Sequence, residues 1–318
     1  MRGRYAGDAG WASLGGFLVE IFTIASGAPD QTVESLIRSH SMVLRHVVVA
    51  TDQSAAGHHA AVVAARLAAK AGARLSVITV KPIAQPVPAD EGGVTDPERQ
   101  SLLRDLTRAL EPALKAEAPG VTPAFTVLAG VPGVEIPRYA EDHAGDLLVL
   151  GHKHRTQRQR MFLGDTADAV ARRSRVPCLF IGQDADDLSP MLVCLDASER
   201  SAGVFQTASD FARSAGLPLK AVTVEPVWLN EPEDLAAALP ASRTLRLNRT
   251  IDRSKLPTDL RIRRGNVLGE LLAETAESGA HLLAFGYHRG GPPGVVEGGS
   301  VARSLLHTAL CAVLTVPL

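Results

Sequence analysis

The chain has 318 residues, 46% of them apolar, which is length for about two domains and an ordinary supply of core residues. Lys plus Arg number 33 and Asp plus Glu 34, a net charge of −1 that excludes the basic excess of a dedicated nucleic-acid binder and the charge load of a disordered chain. Aromatics make up 4%, so stacking platforms for single-stranded nucleic acid are excluded and the core is built from Ala, Val, Leu and Ile.

Residues 1–41 are rich in Gly and Ala and show no strand–helix alternation, so they read as an N-terminal extension. An apolar stretch at Phe17-Leu18-Val19 follows Arg2 and Arg4, but Glu20 interrupts it, which argues against a secretory signal. From Met42 the pattern alternates. A strand, Leu44 to Ala50, ends at Asp52, and a helix runs from Ser54, its expected N-cap, to Ala71. The next strand, Leu75–Val80, is ended by Lys81-Pro82. A Pro-rich loop over 82–97 then leads to a helix over Pro97–Ala116, a strand over Pro123–Leu128 and a helix over Gly133–Ala144. Leu147–Leu150 reads as an apolar strand stopped by Gly151. A loop, a helix over Thr166–Arg173 and a strand over Pro177–Ile181 follow. Short apolar strands alternating with helices imply parallel β-α-β units with helices on both faces.

The polar, acidic segment 183–190 reads as a linker, and after it the pattern restarts. Met191–Leu195 ends at Asp196, as the first strand ends at Asp52. Leu219–Val224 is stopped by Glu225-Pro226, and Leu282–Phe285 by Gly286. Gly130 and Gly265, Gly151 and Gly286, and Gly164 and Gly299 are each 135 positions apart, whereas Asp52 and Asp196 are 144 apart, so the second copy lacks nine residues in its middle loop. The chain is thus a duplication, with one domain over 42–182 and a second over 191–318.

Open parallel sheets bind ligands outside the carboxyl ends of their strands, where the strand order reverses. Three features of each copy fall at that rim. They are the acid after the first strand (Asp52, Asp196), the Val ending the second (Val80, Val224), and the glycine loop after the fourth. That loop opens onto a helix N-terminus, whose N–H groups and dipole attract phosphate. The second copy reads Gly286-Tyr287-His288-Arg289, nine residues, Gly299-Ser300; the first reads Gly151-His152-Lys153-His154, nine residues, Gly164-Asp165.

Together with the strand-end acids and the duplication, these motifs resemble the universal stress protein family, in tandem over about 42–318. Nucleotide-binding members of that family carry Gly, two residues, Gly, nine residues, Gly, then Ser or Thr. Both copies here keep the spacing and lose the second glycine. The resemblance implies two Rossmann-like open parallel-sheet sandwiches of five strands each, paired as a pseudo-dimer through their last strands. It also implies a cytoplasmic stress-response regulator that binds an adenine nucleotide such as ATP, and it leaves further homodimerisation and an unknown protein partner open. Asp196 and Val224 would hold the nucleoside, and Gly286, Arg289, Gly299, Ser300 and the N–H of Val301 the phosphates. Asp52, Val80, Gly151 and Gly164 would be the first copy's equivalents.

Two substitutions make the second copy the expected site. Arg289 replaces a glycine with a phosphate-clamping cation, while Asp165 in the first copy would accept the N–H groups a phosphate needs and repel a triphosphate. The basic run His152 to Arg160 reads as a solvated surface, with an anion or partner site, or a metal at His152, His154 and Asp165, as alternatives. His58 and His59, adjacent on a helix, read as surface polarity. Cys178, Cys194 and Cys311 read as buried thiols on strands in a reducing compartment. Asp52 and Asp196 have a second reading as caps of the following helices. No nucleophile elbow, Walker loop or His-Glu-x-x-His motif is present, so the expectation is a binding protein rather than an enzyme, with a nucleotide-free interaction scaffold as the alternative. No run of 18 apolar residues is present to span a membrane.

Overall fold

The computed structural model describes residues 42–83, 95–152, 166–183, 185–196, 198, 200–227, 260–288 and 300–318. In chain order the elements are β1 (His46–Ala50), α1 (Ala55–Ala71), β2 (Arg74–Pro82), α2 (Asp96–Glu117), β3 (Pro123–Gly130), α3 (Pro132–Asp142), β4 (Leu147–His152), α4 (Thr166–Arg173) and β5 (Cys178–Gly182). The second copy follows with β6 (Met191–Leu195), α5 (Ser201–Ala215), β7 (Leu219–Pro226), β8 (Leu260–Gly265), α6 (Val267–Glu277), β9 (Leu282–Tyr287), α7 (Ser300–Thr308) and β10 (Ala312–Pro317).

The ten strands form one sheet in the order β3-β2-β1-β4-β5-β10-β9-β6-β7-β8. Pairing is parallel within each copy and antiparallel where β5 meets β10. At that seam Leu179 pairs with Leu314, its own counterpart 135 positions on, so the pseudo-twofold relating the copies passes between them. Joining the last strands removes two sheet edges that would otherwise be exposed.

Each central strand is buried on both faces. Val47 and Val49 of β1 point into one core, with Ala60, Ala64 and Ala68 of α1, Leu106 and Leu110 of α2, and Phe211 of α5. Val48 and Ala50 point into the other, with Ile136 of α3, Val170 of α4, Leu271 of α6 and Leu305 of α7. The period-2 alternation of a strand thus feeds two cores, which is why its sequence reads as continuously apolar. Alanines dominate the buried stripe of α1 and let it lie close to the sheet.

Candidate functional site

In each copy the chain leaves β1 and β4, or β6 and β9, as adjacent strands whose following helices lie on opposite faces, which makes a crevice at their carboxyl ends. In the first copy Thr51 still donates its N–H to the Ile78 carbonyl (2.9 Å). Asp52 then accepts the Ser54 N–H on Oδ1 (3.0 Å), with Gln53 between them at φ 59°. Ser54 caps α1 by accepting the Gly57 N–H on its hydroxyl (3.2 Å). Gly57 is required here because a Cβ would lie 2.5 Å from Thr51 Oγ1 and 2.9 Å from Asp52 Oδ1. Gly151 of β4 backs onto the same turn, where a Cβ would meet the Ala56 carbonyl carbon at 2.5 Å and the Gly57 nitrogen at 2.6 Å.

Above this turn lies a cavity of about 600 Å³. Its apolar wall is Ala50, Val80, Leu102, Ile136 and Leu150, and its polar rim includes Asp52, Thr79, Lys81, His152 and Thr166. Lys81 is ion-paired to Glu98. Four helices present their first turns to it, α1 through Ser54 and Gly57, α2 through Glu98, α3 through Pro132, and α4 through Thr166 and Ala167. The converging N-termini favour negative charge. One wall residue, His307, comes from α7 of the second copy.

The second copy repeats the turn. Asp196 Oδ1 accepts the Ser198 N–H (3.0 Å), as Asp52 does from Ser54, and it also accepts the Ser201 hydroxyl (2.6 Å). Burial pushes the Asp196 carboxyl up, but the hydrogen bonds from Ser201 and Ser198 outweigh it and leave the group below the usual carboxylate range. The cavity here is about 220 Å³. Counterpart positions explain the difference. Where the first copy has Ala50, Gly57, Ala60 and Leu150, the second has Cys194, Ser201, Val204 and Phe285, all lining the smaller space. Leu318 and Val204 crowd Gly286, at 2.8 and 3.0 Å from where its Cβ would be.

Asp52, Val80 and Gly151 meet in the first cavity, and Asp196, Val224, Gly286 and Val301 in the second. Gly164, Asp165, Arg289 and Gly299, the side chain of Ser300, and most of the basic loop, His154 included, lie outside the described residues. Several sequence expectations need correction. Gly151 and Gly286 do not stop their strands, which run one residue further, and Val80 and Val224 lie two residues inside theirs, because pairing to β3 and β8 continues to Gly130 and Gly265. The first strand stops at Ala50, two residues before Asp52. His59 is not plain surface polarity, since its Nε2 lies 3.1 Å from the Ala185 carbonyl and 3.7 Å from Asp186. Nor is His58, whose Nε2 is buried and has no hydrogen-bond partner. Cys178 and Cys194 are buried on β5 and β6, and burial pushes the Cys178 thiol up to about 12. Cys311 is only half-buried, precedes β10, and is pushed up to about 11.

Sequence reasoning placed the better site in the second copy, from loop residues; the described residues give the larger cavity to the first. The bulk difference is written in the sequence, as side-chain volume at positions 144 and 135 residues apart. The place of His307 is not, because nothing in its own copy marks it. Among the described residues no cluster of three or more His, Cys, Asp or Glu is arranged to hold a metal, and no helix is long and apolar enough to cross a membrane.

The model of the Universal stress protein family matches the chain twice, over 44–182 and 188–317. Universal stress protein MJ0531 of Methanocaldococcus jannaschii is 29% identical over 150 residues, covering 47% of this chain and 88% of that protein. A universal stress protein from Archaeoglobus fulgidus superposes with a TM-score of 0.58 at 18% identity, covering 85% of this chain and 97% of that one. The functionally unknown PA1789 of Pseudomonas aeruginosa does so with a TM-score of 0.61 at 15% identity, over 87% and 94%. These two likenesses establish the fold.

Proposed function

Since the chain belongs to the universal stress protein family, we propose that it is a stress-response regulator operated by an adenine nucleotide bound in the first copy's cavity. The observation that carries this is the cavity of about 600 Å³ at the strand-order switch, faced by the first turns of four helices. Its size suits a small-molecule site, whereas the second copy's 220 Å³ falls below the usual range. A flat base fits between Val80, Ile136 and Leu150, Asp52 offers its carboxylate to the nucleoside, and the phosphate faces α4. Asp165, the residue that precedes Thr166 in the sequence, disfavours added negative charge, so AMP is expected to bind more tightly than ATP. The role is ligand-dependent signalling rather than turnover, which requires the nucleotide to favour one conformation or partner complex over another.

Titration calorimetry of the full chain with AMP, ATP and GMP tests this. Val80→Trp, which fills the first cavity, should abolish AMP binding, and Val224→Trp in the second should leave it intact, with melting curves confirming that both variants are folded. Loss from Val224→Trp alone moves the site to the second copy, and no binding of any adenine nucleotide below about millimolar concentration, weaker than about −4 kcal/mol, leaves the interaction scaffold as the better reading.

A further inference from the structure

We propose that the first copy's ligand site is a composite site, in which His307 of the second copy donates a hydrogen bond to the phosphate of a nucleoside monophosphate. The inference rests on the nucleotide reading above and adds to it a contact from the other half of the chain. His307 lies in the last turn of α7, in the second copy, yet it lines the first cavity, as do Thr166 and Ala167, the opening residues of α4. The route across the seam is visible one turn earlier. Arg303 Nε stands 3.6 Å from Asp168 Oδ1, two residues into α4 from Thr166. Residues four apart share a helix face, so the face of α7 that carries Arg303 onto α4 carries His307 to the mouth of the cavity.

The chemistry is that of an anion held from two sides. The N-terminal turn of α4 contributes N–H groups and the positive end of its dipole. His307 is half-buried in the last turn of its helix and carries an N–H donor in either neutral tautomer. Lys81 on this rim is ion-paired to Glu98. In the first copy the position equivalent to His307 is Arg172, 135 residues earlier, and its guanidinium is turned onto Asp168 at 2.8 Å. The two copies therefore use one position differently.

The test compares AMP with adenosine by calorimetry on the full chain, in the wild type, His307→Ala, His307→Gln and Asp52→Ala. If His307 contacts the phosphate, His307→Ala weakens AMP roughly tenfold and changes adenosine less than about twofold, while His307→Gln, which keeps a donor, recovers most of the AMP affinity. The His307 ring resonances, assigned from the variants, should shift on adding AMP and stay put with adenosine. Wild-type AMP binding that survives His307→Ala unchanged overturns the inference and leaves the nucleotide reading standing. So does a parallel loss of AMP and adenosine, which would mark His307 as structural. Absence of AMP binding in the wild type overturns both, and Asp52→Ala weakening both ligands locates the nucleoside independently of His307.

Discussion

Removing the Asp168 carboxylate should be among the most damaging single changes at the seam between the copies. Asp168 is 2% exposed and accepts the Tyr287 hydroxyl at 2.5 Å, from the end of β9 in the other copy. Arg172 (2.8 Å) and Arg303 (3.6 Å) complete its surroundings. Burial, and then the bond to Asp168, push the Tyr287 hydroxyl far above its usual range, so it stays a donor across the accessible pH scale. Asp168→Ala strands that buried hydroxyl, at about 1–3 kcal/mol. The two guanidiniums are about half exposed and regain water, so their loss adds only about 0–1 kcal/mol each. A favourable first-turn carboxylate on α4 is worth a further few tenths, about 0.3–1 kcal/mol. The expected total is about 2–4 kcal/mol, or a fall in Tm of roughly 5–12 °C for a unit of this size. Urea denaturation of Asp168→Ala, Tyr287→Phe and the double variant closes a cycle, with an expected coupling of about 1.5–2 kcal/mol. Coupling below about 0.5 kcal/mol, or Arg303→Ala costing more than Tyr287→Phe, would refute the assignment of the hydrogen bond as the dominant contact.

Gly151→Ala and Gly286→Ala occupy equivalent positions and should differ sharply. The first drives a methyl into backbone of α1 and should cost about 1–3 kcal/mol together with ligand affinity in the first copy, while the second meets the flexible ends of Leu318 and Val204 and should cost less than about 1 kcal/mol by thermal melting; equal losses would show that α1 can retreat. Ser201→Ala removes a hydrogen bond that holds the Asp196 carboxyl below its usual range. A depressed carboxyl stabilises the fold above its unfolded pKa and loses that contribution as pH falls through the folded one. The variant should therefore be about 1 kcal/mol less stable than wild type at pH 7, and the gap should shrink as pH falls below the ordinary Asp value of about 3.9, as urea curves at neutral and acid pH can show. A gap that widens in acid would mean the interaction has the opposite sign.

Most of the fold was legible because it rests on short-range chemistry. Ser54 and the alanine stripe announce α1, and the double-sided burial of β1 shows as an unbroken apolar run. The strand ends were misread at Gly151 and Gly286 for a physical reason. Glycine signals a break only when the backbone turns there, and at both positions it is demanded by a close approach, from α1 in one case and Leu318 and Val204 in the other. The rim acids were legible as positions, but their turn-closing role depends on Ser54 and Ser198 two residues on, which gives the carboxylates a structural task alongside any ligand contact. What sequence could not supply is everything that crosses the seam. Asp168 and Tyr287 are 119 residues apart, and neither has an anomalous local context.

The seam also explains why duplication matters to this fold rather than merely doubling it. In a dimer of identical chains, a residue near the twofold faces its own copy, so a charge there faces a like charge. Asp168 and Arg303 are counterparts, 135 positions apart, and they face one another as opposite charges. That arrangement is open to a tandem chain and closed to a homodimer of either half. The same freedom acts at the two cavities. Ala50, Gly57, Ala60 and Leu150 keep one wide, and Cys194, Ser201, Val204 and Phe285 narrow the other, without either change being forced on its partner. Once the copies need not match, one can hold a ligand while the other supplies a wall of the same site, and the contact of α7 with α4 is where that division of labour is built.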